Sequence, residues 1–178
     1  MVESYTRPTF LVEQIDQILK SESSENLADF GAYAYLMSSY LIALNLSLRS
    51  EKPSNFVNLY YCVSERKFPL SIFEELHAKN LHFAFSFLAE ASRDPRCAQM
   101  YLNSAYSWKD KKGIAFLISV PERMASAFDI THISCYPQEN LVIIPPNISF
   151  RITSIDYQPQ EFEGSYVEIK LEFMDNII

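Results

Sequence analysis

The residue of this chain best placed to do chemistry is Glu139, a carboxylate in a polar corner between two apolar runs. Residues 130–135 and 141–144 have the composition of short strands, and two prolines that cannot donate to a central ladder follow them. Glu139 precedes Leu141 by two residues, so strand alternation predicts that the two side chains share a face. A carboxylate at the mouth of a strand can take part in catalysis, although a solvated loop glutamate has the same sequence signature.

Composition excludes several classes of function. The formal net charge is −7, from 22 acidic and 15 basic residues, and no long Lys/Arg-rich segment occurs, so we expect no nucleic-acid partner. Only three glycines are present, which excludes glycine-rich loops that cradle phosphates or dinucleotides. The three cysteines and three histidines lack the spacing of metal ligands, so we expect no metal site and free, buried thiols.

The length of 178 residues, with 48% hydrophobic residues, predicts one domain over residues 1–178. The amino terminus has no apolar signal core, and no apolar run approaches the roughly 20 residues that span a bilayer. We therefore expect a soluble protein without a membrane partner, either cytoplasmic or delivered as an effector without a classical signal peptide. The sequence leaves the oligomeric state unknown.

Hydrophobic periodicity separates the chain into a helical part, about 1–55, and a mainly β part, about 56–178. Because helices come first and strands follow, the fold class predicted is α+β, with N-terminal helices packed on two antiparallel β-sheets. A loop is predicted over 157–164. The helices are predicted at 9–20, 27–50, 69–78 and 94–106, and the strands at 56–63, 81–88, 114–120, 130–135, 141–144, 148–155 and 166–173.

Four segments of the sequence carry a resemblance to a known family. Residues 43–49 resemble a helix end before the first core strand, and 59–63 resemble the strand that normally reads Tyr-Arg-Gly. Residues 85–94 are similar to a Phe-x-Ser-Thr-Ser-x-Asp strand, and 134–150 are similar to a strand with two glutamates running into Val-Leu-Ile-Pro-Pro. In these segments the chain resembles the arginine-specific mono-ADP-ribosyltransferases, the toxin and ecto-enzyme branch of that superfamily, over roughly residues 9–155.

The resemblance implies NAD chemistry built on three side chains. In that family an arginine holds the NAD phosphates, a serine positions NAD, and a glutamate stabilises the cationic ribose as nicotinamide leaves. Here the arginine position holds Tyr61, and the serine position holds Glu90 or Ala89, depending on the register chosen. The glutamate position holds Leu141, while the earlier glutamate that orients an acceptor guanidinium is matched by Glu139.

These replacements imply an ADP-ribosyltransferase-like domain that is catalytically impaired and acts as a binding or regulatory relative, with NAD binding in doubt. Tyr61 and Phe85 are candidates to stack on a ring of NAD, the alternative being core packing, and Glu90 would face the pyrophosphate with like charge. One alternative is an active NAD-dependent mono-ADP-ribosyltransferase or NAD glycohydrolase with a rearranged site that uses Glu139. Another is a protein-interaction module that shares the fold only. A protein partner or acceptor protein fits these alternatives.

Overall fold

The computed structural model describes residues 56–64, 68–97, 113–121, 127–158 and 166–174, with Leu36, Ser39, Tyr40 and Met100 as further single positions. The predicted helices at 9–20 and 27–50 lie outside the described residues, apart from three single helical positions in the second of them. The elements are β1 (Phe56–Ser64), α1 (Leu70–Ala78), β2 (His82–Ala84), β3 (Ala89–Ser92), β4 (Gly113–Pro121), β5 (Phe128–Asp129), a 3-10 turn (Pro137–Glu139), β6 (Leu141–Ile144), β7 (Ser149–Gln158) and β8 (Tyr166–Phe173).

The strands form one mixed sheet of eight, in the order β2-β7-β8-β4-β1-β3-β6-β5. All neighbouring pairs are antiparallel except β4 and β8, which run parallel. The prediction of two antiparallel sheets is therefore wrong for the described strands. β1 makes the sheet continuous, because it pairs with β4 along its length and with β3 at Tyr60. The long connection from β4 to β8 allows the parallel return.

Most strands lie close to their predicted positions, since strand composition and turn residues mark them clearly. β6 and β8 have the predicted bounds, while β1, β4 and β7 extend beyond theirs by one to three residues at an end. The strand predicted at 81–88 is reduced to the three residues of β2, and the chain bends before β3 begins. At that bend the Asn147 N–H donates to the Phe85 carbonyl at 2.8 Å, outside the strand ladders.

The prediction of a strand at 130–135 is wrong, because these residues form a turn. The Asp129 carboxylate accepts a hydrogen bond from the Thr131 N–H at 2.9 Å, and the Ser134 N–H donates to the Ile130 carbonyl at 2.8 Å. An Asp side chain that bonds the backbone two residues ahead competes with strand pairing and starts a turn. The apolar run therefore packs as part of a loop, and the neighbouring strand β5 is only two residues long.

One face of the sheet is covered by an aromatic cluster and by α1. Phe73 of α1 lies 5.2 Å from Phe116 of β4, centroid to centroid, and Phe83 lies 4.8 Å from Phe85 in an edge-to-face pair. The His77 imidazole Nδ1 also lies 3.1 Å from the carbonyl oxygen of Ile152, which ties the helix to β7. Aromatic rings bury large areas and favour edge-to-face contacts, so this cluster is the centre of the described core.

We expect Phe116→Ala to lower the free energy of unfolding by about 3–5 kcal/mol, because it removes a ring that contacts several others and leaves a cavity. Ile72→Ala on the outer side of α1 is the matched control, since Ile72 is 49% exposed and loses little burial. Chemical denaturation of both variants measures the difference. Equal losses in the two variants would contradict the placement of the core.

Candidate functional site

Three adjacent strands bring together three of the four resembling segments, while the fourth, residues 43–49, lies outside the described residues. Ser92, at the end of β3, is paired across the ladder with Tyr60 of β1 on one side and with Leu141 of β6 on the other. Glu90 lies two residues back along β3 and is paired with Ile143. The chain segments that hold the candidate residues, widely separated in sequence, therefore meet in a row across β1, β3 and β6.

Alternation along these strands divides the candidate residues between the two faces of the sheet. Ala89 and Ala91 of β3 belong to the aromatic core, as do Val142 and Ile144 of β6. Because successive side chains in a strand point to opposite faces, Glu90 and its neighbours in the cross-strand row face the other way. Leu141 is thus on the face opposite the aromatic cluster.

Tyr61 and Phe85 lie together on the aromatic face. Their ring centroids are 5.5 Å apart in an edge-to-face pair, and the Tyr61 ring stacks on Phe116 at 5.9 Å. Phe85 is only 1% exposed. Both rings are therefore partners within the core, which favours the packing alternative over a stacking role for a ligand, and neither shares a face with Leu141.

Tyr60 and Cys62 are the β1 residues nearest to Ser92 and Glu90 on the face of Leu141. The antiparallel register puts Cys62 toward the Glu90 end of the row and Tyr60 directly opposite Ser92. Burial raises the pKa of the Cys62 thiol to about 12, so it is a neutral thiol at physiological pH. Sequence reasoning missed the shared face of both residues, because a one-residue uncertainty on β1 exchanges the faces of the whole strand.

Two further polar groups lie on the same side of the sheet on β8. Tyr166 has its pKa raised, first by burial, then by the charge of Glu168 and by the Cys62 thiol. The Lys170 Nζ lies 3.1 Å from the Asp156 carboxylate and 3.6 Å from the Glu168 carboxylate. Its positive charge is therefore paired with carboxylates of the same sheet. This part of the face is neutral or acidic in character.

Glu139 lies in the 3-10 turn immediately before β6 and is half-buried. The expected alternation with Leu141 is wrong, because Asn140 between them is in the left-handed conformation, with φ 48° and ψ 50°. The Glu139 carbonyl oxygen accepts a hydrogen bond from the Ser92 hydroxyl at 2.5 Å. Glu139 is therefore next to the row formed by Tyr60, Ser92 and Leu141 without being part of a strand.

The loop that precedes β6 is also tied to its surroundings by an ion pair. The Arg93 guanidinium lies 3.0 Å from the Asp129 carboxylate, and the Arg93 N–H donates to the Asn140 carbonyl at 3.1 Å.

In the ranges that the structure describes, no three His, Cys, Asp or Glu side chains group as metal ligands. Among those same residues no helix is long and apolar enough to cross a membrane.

Known structures share this fold. The chain aligns with a crystal structure of ADP-ribosyltransferase Vis from Vibrio splendidus in complex with agmatine, with a TM-score of 0.63 and 18% identity, over 98% of this chain and 73% of that one. Plx2a, an ADP-ribosyltransferase toxin from Paenibacillus larvae, aligns with a TM-score of 0.70 and 12% identity, over 98% of this chain and 84% of that one. This chain has the ADP-ribosyltransferase fold.

A third structure with the same fold, an ADP-ribosyltransferase from Clostridium botulinum, aligns with a TM-score of 0.58 and 16% identity, over 96% of this chain and 84% of that one. No protein-family model and no curated protein matches the chain. Identities this low show a shared fold, and what an ADP-ribosyltransferase fold does depends on the side chains at its site.

We expect native Cys62 to react with iodoacetamide at pH 8 roughly a thousandfold more slowly than an ordinary cysteine, because a thiol with a pKa of about 12 is almost wholly protonated there. Mass spectrometry of the Cys62 peptide follows the labelling, and the same protein in denaturant is the control. Because only the thiolate reacts, labelling should accelerate as the pH rises toward 12. Rapid native labelling at pH 8 would contradict the raised pKa of the half-buried Cys62 thiol.

Proposed function

We propose that this protein is a catalytically impaired ADP-ribosyltransferase-like domain that works by binding rather than by transferring ADP-ribose. The observation that carries the proposal is Leu141, which stands where the family resemblance implies the catalytic glutamate. Leu141 is 4% exposed and is held in the ladder opposite Ser92. An alkyl side chain at this point cannot stabilise the cationic ribose that forms as nicotinamide leaves.

The positions that would bind NAD phosphates support the same conclusion. Groups that act on one bound NAD are expected to share a face of the sheet. This favours Tyr60 or Cys62 at the β1 position over Tyr61, the residue that the family resemblance puts at the arginine position. Neither side chain is cationic at neutral pH, and neither offers the planar two-pronged contact that a guanidinium makes with phosphate. The chain therefore lacks the expected phosphate anchor on β1.

The sharing of a face also favours one of the two registers considered for β3. Glu90, not Ala89, lies on the face of Leu141, which supports the register with Glu90 at the serine position. A carboxylate there meets a pyrophosphate with like charge, a repulsion on the order of 1–4 kcal/mol at short range near a surface. NAD would lose a hydroxyl contact at this position and would gain an unfavourable one.

The combined loss of transition-state stabilisation from these replacements is large for an active site. Removing one preorganised donor or charge typically costs about 3–4 kcal/mol of transition-state stabilisation, which is roughly a hundredfold to a thousandfold in rate. Here the arginine, serine and glutamate positions are all replaced. A regulatory or binding role for the ADP-ribosyltransferase fold, with a protein as partner, accounts for a chain that keeps the scaffold and not the charges.

A second candidate function rests on Glu139. Its turn is held by the buried Ser92 hydroxyl, and it lies at the end of the strand row where the face of Leu141 begins. In this alternative the chain is an active mono-ADP-ribosyltransferase or NAD glycohydrolase in which Glu139 supplies the carboxylate. The similarity to a structure that holds agmatine, a guanidinium compound, makes that compound a suitable test acceptor.

We expect the purified protein to release no nicotinamide from NAD and to transfer no ADP-ribose to agmatine above a protein-free blank, because Leu141 replaces the acid. Chromatographic detection of nicotinamide and of ADP-ribosyl-agmatine measures both reactions, with Vis as the positive control. Activity above the blank that disappears in Glu139→Ala and survives in Gln138→Ala would establish the second candidate instead.

We also expect millimolar NAD to leave the thermal midpoint of the wild-type protein unchanged and to raise that of Glu90→Gln, because the substitution removes the like charge opposite the pyrophosphate. Differential scanning fluorimetry with NAD and ADP-ribose measures the shifts. Glu75→Gln on α1, an exposed carboxylate paired with Lys79, is the matched control. A strong NAD-dependent shift in the wild-type protein would show that the nucleotide site is intact.

A further inference from the structure

Ser92 is a buried hydroxyl with an unusual set of partners. It is 3% exposed, and within the described ranges no other polar or charged residue is as deeply buried. Its oxygen accepts a hydrogen bond from the Asp94 N–H at 2.9 Å, and it lies 2.5 Å from the Glu139 carbonyl and 3.3 Å from the Asp94 carbonyl. A hydroxyl has one proton, so the short distance identifies the Glu139 carbonyl as the acceptor.

The Glu139 carbonyl lies outside the strand ladder, so the ladder does not supply its donor. The β3–β6 register begins at the pair Ser92 and Leu141, and the left-handed Asn140 separates Glu139 from it. A carbonyl shielded from water destabilises the fold unless it is hydrogen-bonded, and the hydrogen bond between Ser92 and the Glu139 carbonyl is partly buried. The Cys97 thiol also lies 3.8 Å from this oxygen, but a thiol is a weak donor, so the Ser92 hydroxyl is the stronger partner of the two.

Backbone hydrogen bonds hold the ends of the same loop and also close its turn, in which the Glu139 N–H donates to the Tyr136 carbonyl at 3.0 Å and the Asn140 N–H to the Pro137 carbonyl at 3.3 Å. The Ile130 N–H donates to the Leu141 carbonyl at 3.0 Å, and the Arg93 N–H donates to the Asn140 carbonyl at 3.1 Å. These bonds close the loop over residues 130–140 against β3 and β6 whatever side chain stands at position 92. The direction of the turn that carries Glu139 is set in addition by the Ser92 hydroxyl.

We propose that Ser92 is the positioning residue of the 130–140 loop, and that it fixes the turn holding Glu139 by binding the Glu139 carbonyl. The inference goes beyond the proposed function, because it requires neither NAD nor catalysis. If the loop is the surface that a protein partner meets, Ser92 keeps that surface in one conformation. If Glu139 is catalytic, the same hydrogen bond fixes the backbone position from which its carboxylate extends.

The test is amide hydrogen exchange in Ser92→Ala, followed by mass spectrometry or NMR. We expect amides of residues 130–140 to exchange on the order of tenfold faster or more, the factor that accompanies loss of one hydrogen bond to a buried group. Amides of β7 and β8 should keep their rates. Thr153→Ala is the matched control, since its exposed hydroxyl donates to the Lys170 carbonyl outside the loop.

A second variant, Ser92→Cys, keeps a weak donor in nearly the same volume and should accelerate loop exchange less than Ser92→Ala does. It also decides the question if Ser92→Ala does not fold, because faster exchange confined to residues 130–140 supports positioning. Unchanged loop rates, or an equal acceleration throughout the sheet, would overturn the proposal. Neither readout involves NAD, so failure here is distinct from failure of the proposed function.

Discussion

The cross-strand contact of Ser92 with Tyr60 and Leu141 is the constraint on which the site depends. Once these three residues are in register, period-2 alternation determines the face of every other side chain on β1, β3 and β6. The alanines of β3 must then fill space beneath the aromatic cluster, and Glu90 must face away from it. A slip of one residue would bury the Glu90 carboxylate among phenylalanine rings, so the core itself enforces the register.

The two faces have different physical characters, and that difference separates scaffold from function. The aromatic face is closed by rings in mutual contact and by α1, and it stabilises the strand arrangement seen in ADP-ribosyltransferases. The opposite face carries a leucine, a neutral thiol, a tyrosine and a carboxylate across β1, β3 and β6. None of the residues of β1, β3 and β6 on this face is cationic, and the proposed loss of NAD binding rests on that lack of fixed positive charge.

Much of the fold was accessible from sequence. The extents of β6 and β8 and the position of α1 follow from apolar periodicity and flanking turn residues, which are local properties of the chain. The family resemblance in the Val-Ile-Ile-Pro-Pro segment is likewise local, and the fold agrees with it. Two local inferences were wrong because a side-chain hydrogen bond or a backbone conformation overrode the apolar pattern. The Asp129 side chain starts a turn in residues 130–135, and the left-handed Asn140 interrupts the alternation between Glu139 and Leu141.

The sequence by itself determined that β1 holds no arginine and that a leucine stands at position 141, because both are local facts that can be read without coordinates. Only the tertiary structure decided which residues share a face, since pairing between strands far apart in sequence sets the register. It assigned Tyr61 and Phe85 to the core and placed Glu90 with Leu141. It also showed a buried hydroxyl, Ser92, holding the turn of Glu139, a contact across 47 residues that no local pattern encodes.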